Sequence, residues 1–274
     1  MLRKIAVQRL LKSKRPQILG MIHVPALPGS PSHILPMSRI LKKVREEAEI
    51  YVKAGVDGII IENMHDVPYS KPPAAPEIIS AMSLACQEVE NVRRISGSDV
   101  LLGVQILAAA NREALAVANV TGLDFIRAEG FVYSHVADEG WIDACAADLL
   151  RYRKALGAEH ISVFTDIKKK HSSHSVTSDL SIREIAQDAK FNLADGVIVT
   201  GSATGHAANP KELDQVSTIP DFPVLIGSGV NAQNLKSYKS AHGLIIGSEF
   251  KKDGKWQNDL DPVKIRQIVK LIGK

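Results

Sequence analysis

The sequence predicts an α/β protein built as a single (β/α)8, or TIM, barrel, and three observations carry that prediction. The chain has 274 residues, close to the roughly 250 of one such barrel. Short runs of branched aliphatic residues alternate with longer helix-like segments eight times, with no break in composition. The stretch from Pro223 to Ser248 holds the last two runs, at 224–226 and 244–246, and each ends in glycine and serine. Runs of this length bounded by Gly turns read as strands buried on both faces. A doubly wound open sheet would instead need its Gly-rich turn after the first strand. Here that turn is the proline-rich Met21-Ile-His-Val-Pro-Ala-Leu-Pro-Gly29.

Taken in order, the apolar run at 17–23 is the first strand, and a proline-rich loop leads to a helix over 38–54. Strand 58–62 precedes a second proline-rich loop and a helix over 77–96. Strand 100–106 follows, with Asn111 expected to cap the next helix. Strand 124–129 leads through a long loop to a helix over 143–156. Strand 161–167 pairs with a helix over 181–193, and strand 196–200 with one over 210–216. A helix over 232–240, capped by Asn231, separates the last two strands, and a helix over 262–272 closes the ring. An echo supports the count. Asp57-Gly-Ile-Ile-Ile61, Asp124-Phe-Ile-Arg-Ala128, Asp195-Gly-Val-Ile-Val199 and His242-Gly-Leu-Ile-Ile246 fall at the even-numbered strands. Their spacing is too irregular for a solenoid and suits a barrel with unequal loops.

Composition narrows the function classes. The chain is 45% hydrophobic and 23% charged, as in globular proteins with an ample core. No apolar run approaches the roughly 20 residues of a membrane span, so no integral membrane segment is expected. Two cysteines are too few for a disulfide framework. Six basic residues fall in the first fifteen, and no acid precedes Glu46. Without those six, 28 basic residues face 30 acidic ones, which argues against nucleic acid as a partner. The chain divides into a basic segment at 1–15 and a barrel domain at 16–274. The segment reads either as a mitochondrial targeting peptide or as the frayed end of a cytoplasmic protein.

In a barrel, function falls to polar residues at the C-terminal strand ends and the loops after them. These are His23, Glu62, Gln105, Arg127, Glu129, Asp166 and Thr200, with Lys168, Lys170 and His171 just beyond Asp166. Glu62 follows three isoleucines, and a carboxylate drawn into a low-dielectric rim suits a general acid or base. Asp166 is the expected second member of that pair, and His23 the group that polarises a carbonyl or shuttles a proton. Arg127, Glu129, Lys170, His171, Thr200 and Gly201 are expected to contact substrate. Gly227, Ser228, Gly229, Gly247 and Ser248 are expected to hold its phosphate through backbone N–H groups. Plainer readings stand beside these: a salt bridge of Arg127 with Glu62 or Glu129, a solvated run Lys168–Lys170, and Gly-Ser turns that merely connect strands. No lysine falls within a strand, which argues against a Schiff base. No metal-ligand spacing, nucleophile elbow, Walker loop or dinucleotide fingerprint occurs, and no cofactor is identified.

Several motifs carry a resemblance. Gly20-Met-Ile-His-Val-Pro-Ala-Leu-Pro-Gly-Ser-Pro31, Ile61-Glu-Asn63 with Asp66-Val-Pro68, and Phe125-Ile-Arg-Ala-Glu-Gly-Phe131 resemble the BtpA/SgcQ family. So do Asp138-Glu-Gly140 with Arg151-Tyr-Arg153, Thr165-Asp-Ile167 with Lys170-His171, and Val199-Thr-Gly201 with Thr204-Gly205. The resemblance runs from about residue 17 to 270. It implies a TIM barrel similar to ribulose-phosphate-binding barrels and no settled reaction. One cyanobacterial member of that family is tied to photosystem I biogenesis, and a bacterial relative lies among sugar-utilisation genes.

Two function classes follow. The first is an enzyme of isomerase, epimerase or lyase type that acts on a small phosphorylated metabolite by acid/base chemistry at the barrel mouth. The second is a non-catalytic assembly or stability factor that retains an anion site. The helix faces leave association into a homo-oligomer open.

Overall fold

Along every long strand, side chains alternate between the barrel interior and the surrounding helices. Leu19 and Met21 point inward while Ile18 and Ile22 face the helices; Ile60 points inward between the outward Ile59 and Ile61. The computed structural model describes residues 4–201 and 205–273. The start of the basic segment and Thr204 lie outside the described residues. The strands are β1 (Gln17–His23), β2 (Gly58–Glu62), β3 (Leu101–Gln105), β4 (Phe125–Ala128), β5 (His135–Ala137), β6 (Gly140–Ile142), β7 (Ser162–Ile167), β8 (Ser172–Ser173), β9 (Gly196–Val199), β10 (Val224–Ile226) and β11 (Gly243–Ile246). Eight of them close in the order β1-β2-β3-β4-β7-β9-β10-β11, all parallel. The predicted barrel is the observed one.

The helices are α1 (Ile5–Lys12), α2 (Met37–Ala54), α3 (Pro76–Ser96), α4 (Asn111–Thr121), α5 (Ala146–Ala155), α6 (Ile182–Phe191), α7 (Pro210–Ser217) and α8 (Pro262–Leu271). The expected helix at 232–240 is instead a turn followed by a 3-10 segment, Leu235–Tyr238. Asn231 accepts from the N–H of Gln233 and Asn234, which satisfies the chain locally without starting an α-helix. Asn111 is likewise not a cap. It is the first residue of α4, and its side-chain amide clamps the backbone of Glu129, donating to its carbonyl (2.6 Å) and accepting from its N–H (3.1 Å).

The interior fills by matching large residues to inward glycines. A Cβ on Gly103 would lie 2.2 Å from the Phe125 ring, and one on Gly196 would lie 2.8 Å from Phe164. The two rings meet edge to face at 5.4 Å in the space these glycines leave. Below them, α1 crosses the floor, with Ala6 and Leu10 buried against Leu19, Leu101, Phe125 and Leu225. From Ile5 onward the basic segment is therefore packed into the barrel, not frayed.

The even-strand echo has a physical cause at the same floor. Asp57, Asp124 and Asp195 accept from the N–H of Ile18, Leu102 and Val163 on the preceding strand (2.8–2.9 Å). Arg15, Arg93 and Arg153 hold the three carboxylates (2.7–2.8 Å). His242 repeats the contact, its Nδ1 accepting from Val224 N–H at 3.1 Å. Each group satisfies a strand-end donor that no ladder partner reaches.

The long loop expected after β4 carries β5 and β6, and the segment after β7 carries β8. β5 pairs antiparallel with β6 and β8 in a separate three-stranded sheet. Among the described residues no helix is long and apolar enough to cross a membrane.

Candidate active site

The inward parity that fills the core also selects the mouth. Continuing it upward from the apolar layer places His23, Glu62, Gln105, Arg127, Asp166, Thr200, Gly227 and Gly247 in one ring at the C-terminal strand ends. A cavity of about 140 Å³ opens there. One side is walled by His23, Glu62, Arg127 and Lys170, the other by Gly227–Gly229, Asn231 and Gly247–Glu249. Met64, Asn231 and Glu249 were not among the expected site residues; their loop positions gave no signal of which way they face.

Glu62 is the buried acid of this cavity. Its carboxyl makes no hydrogen bond to another described residue, and the nearest basic atom is His23 Nε2, 3.8 Å from Oε2. Burial raises its pKa, the charges of Glu129 and Asp166 add to the rise, and Arg127 and Lys170 oppose it. His23 is neutral: burial, with the positive charge of Lys251, lowers its pKa to about 3. Its Nδ1 lies 3.1 Å from the carbonyl of Trp256. A carbonyl only accepts, so Nδ1 carries the hydrogen and Nε2 presents a lone pair toward Glu62. Nε2 is thus the open acceptor of His23, although burial disfavours its protonation, and the expected carbonyl-polarising role does not fit this tautomer.

Asp166 is placed differently from expectation. Arg127 engages it through two hydrogen bonds, Nε to Oδ1 (3.1 Å) and Nη2 to Oδ2 (3.0 Å), with both side chains almost fully buried. Its carboxylate does not line the cavity, so its lone pairs orient Arg127 instead of facing a ligand. Burial opposes the charge on Arg127, but Asp166 and Glu62 outweigh it and keep the guanidinium protonated. Glu129 likewise does not line the cavity. It accepts from Lys169 (3.3 Å), Gln105 (3.2 Å) and the N–H of Ala109 (3.0 Å). Burial alone would raise its pKa, yet Lys169 and Arg127 hold it below the ordinary value. Lys169, expected in a solvated run, is therefore a buried counter-ion. Neither expected partner of Arg127, Glu62 or Glu129, forms its ion pair.

The glycine wall has two kinds of glycine. Gly227 allows close approach: a Cβ there would lie 2.6 Å from Ile198 and 3.2 Å from Arg127 Nη2. Gly229 has φ +67° and packs directly on the backbone of His206 and Ala207, which no side chain would permit. Among the described residues the N–H groups of Ser228, Gly229, Ser248 and Glu249 have no hydrogen-bond partner. Ser228 Oγ accepts from Gly201 N–H (2.8 Å) and donates to the carbonyl of His206 (3.1 Å), fixing this turn against the neighbouring loop. Thr200, Gly201 and His171 do not line the cavity. Thr200 Oγ1 is buried without a partner among the described residues. Among the described residues no group of three or more His, Cys, Asp or Glu side chains is placed to hold a metal ion.

The model of the BtpA family matches residues 14–274. The chain belongs to the BtpA family. A mitochondrial protein of Caenorhabditis elegans is 64% identical over 272 residues, covering 99% of this chain and 98% of its own length. The photosystem I biogenesis protein BtpA of Synechocystis is 29% identical over 259 residues, covering 94% and 88% respectively. Among solved structures, N-(5'-phosphoribosyl)anthranilate isomerase from Pyrococcus furiosus superimposes with a TM-score of 0.54 at 16% identity, covering 93% of this chain and 97% of that one. That likeness establishes the shared barrel for this BtpA-family chain.

Proposed function

We propose that this BtpA-family barrel is an enzyme that moves protons on a small phosphorylated metabolite bound at its mouth. The observation that carries the reading is Glu62, a buried carboxyl that lines the cavity with its pKa raised and, among the described residues, no hydrogen bond to hold it. A structural carboxylate at this depth would be paired, as Asp166 and Glu129 are. In the proposed reaction Glu62 moves the proton, as general acid when protonated and as general base when ionised, and neutral His23 presents its Nε2 lone pair beside it. Arg127, aimed by Asp166, stabilises the negative charge that develops between them. The phosphate is held by the N–H groups of Ser228, Gly229, Ser248 and Glu249. The phosphoribosyl compound named for the Pyrococcus isomerase belongs to the same broad substrate class.

Turnover of phosphorylated sugars, screened by product formation, tests this. Glu62→Gln keeps the shape and removes the proton, so turnover falls by about 10²–10⁴-fold while melting and ligand binding persist. Full activity in Glu62→Gln contradicts the acid assignment.

We also propose a mitochondrial location, supported by the name of the C. elegans relative, with Ile5–Lys12 kept in the folded barrel. Mass spectrometry of the N-terminus from fractionated cells tests it. Mature protein that begins beyond Lys12 contradicts the retention of that helix, and recovery from the cytosol alone contradicts the location.

A further inference from the structure

The lysines and arginine around the mouth differ in what answers their charge. Arg127 is met by Asp166, Lys169 by Glu129 and Lys251 by Glu47, while Lys168 donates to the carbonyl of Leu180. Lys170 lines the cavity, yet its Nζ has no hydrogen bond and no carboxylate within ion-pair distance among the described residues. A lysine that only balanced the buried acids would be drawn onto one of them, as its neighbour Lys169 is. The chain reaches this position by leaving the strand: β7 ends at Ile167, and left-handed residues at Lys168 (φ 47°) and His171 (φ 56°) bracket Lys170. The expectation against a Schiff base rests on lysines falling outside the strands, and this turn removes it.

We propose that Lys170 is an amine nucleophile that forms a Schiff base with the carbonyl of a phosphorylated aldehyde or ketone. The substrate class rests on the phosphate reading above; the amine itself rests on the unpaired Lys170. Burial, together with the charge of Arg127, lowers the Lys170 pKa from its ordinary value, the same combination that activates amines elsewhere. The neutral amine attacks the carbonyl carbon, forming the N–C bond, and the carbonyl π pair moves to oxygen, which takes the proton of Glu62. The nitrogen returns one proton to the Glu62 carboxylate. Glu62 then protonates the hydroxyl, the nitrogen lone pair forms C=N, and water leaves. The sum is amine, carbonyl and carboxylic acid going to iminium, water and carboxylate.

Pyridoxal 5'-phosphate, an aldehyde that carries a phosphate, is a direct probe. The full chain is incubated with it, reduced with borohydride and mapped by peptide mass spectrometry. Hydride addition to the iminium carbon locks the adduct as a secondary amine. The expected result is a pyridoxyl group on Lys170 that inorganic phosphate suppresses and that is absent from Lys170→Met. The melting temperature of the variant controls for folding. Labelling confined to other lysines, in protein that phosphate still stabilises against heat, overturns the Schiff base and leaves the phosphate reading standing. Labelling of Lys170 that phosphate neither suppresses nor accompanies with stabilisation supports the amine and removes the phosphate site.

Discussion

Removing one partner of the Arg127–Asp166 pair strands the other charge in the barrel interior, where both side chains are almost fully buried. Such losses cost about 3–5 kcal/mol. Arg127→Met and Asp166→Leu are each expected to lower unfolding free energy in urea by amounts of this order. The double variant Arg127→Met/Asp166→Leu is expected to lose less than the two singles combined, and strict additivity would contradict a coupled pair. The pH dependence has two opposite signs at neighbouring positions. Burial with the charges of Lys251 and Lys43 lowers the pKa of His65 to about 4, below its unfolded value, so its contribution is present above about 6.5 and lost as pH falls. Glu62 has its folded pKa raised, so its contribution is present below about 4.3 and lost as pH rises. Relative to the parent, His65→Phe therefore gains stability on acidification from pH 7 to 4, and Glu62→Gln gains on raising the pH. Melting scans across pH check both signs.

At the level of elements, α1 is the piece with most to lose. Leu10 is buried among inward residues of the barrel floor, and Leu→Ala at such sites costs about 2–5 kcal/mol. Leu10→Ala is expected to lower stability within that range, measured by denaturant unfolding; a change below about 0.5 kcal/mol, the ordinary size for a surface substitution, would contradict the floor packing. The eight strands were legible because strand length, branched aliphatics and the aspartates before β2, β4 and β9 are local features. The parity that turns Glu62 and His23 inward was legible for the same reason. What pairs with what was not. Arg127 on β4 finds Asp166 on the neighbouring β7, and Lys169 just after β7 finds Glu129 just after β4; neither contact leaves a trace in residue spacing. The small sheet of β5, β6 and β8 was missed because its strands are two or three residues long, too short for a period to show. Proline-free polar chain at 232–240 reads as helix, yet Asn231 and Asn234 spend it in a turn.

The whole molecule is polarised along the barrel axis. Aspartate–arginine pairs and α1 close the floor, the Phe125–Phe164 layer fills the middle, and ionisable groups gather at the mouth with glycines facing them. Stability and chemistry are thereby carried by opposite ends, the usual division in this fold. The family match fixes the architecture; the chemistry rests on the mouth. Its most direct test is thermal melting with increasing inorganic phosphate, in the parent and in Ser248→Asp, which sets a carboxylate against the same N–H groups without filling a glycine. The parent is expected to rise with phosphate, by about 2.7 kcal/mol of stabilisation at one hundred times the dissociation constant, and Ser248→Asp is expected to show no rise. An unchanged melting temperature in the parent, or an equal rise in Ser248→Asp, would contradict a phosphate-binding mouth.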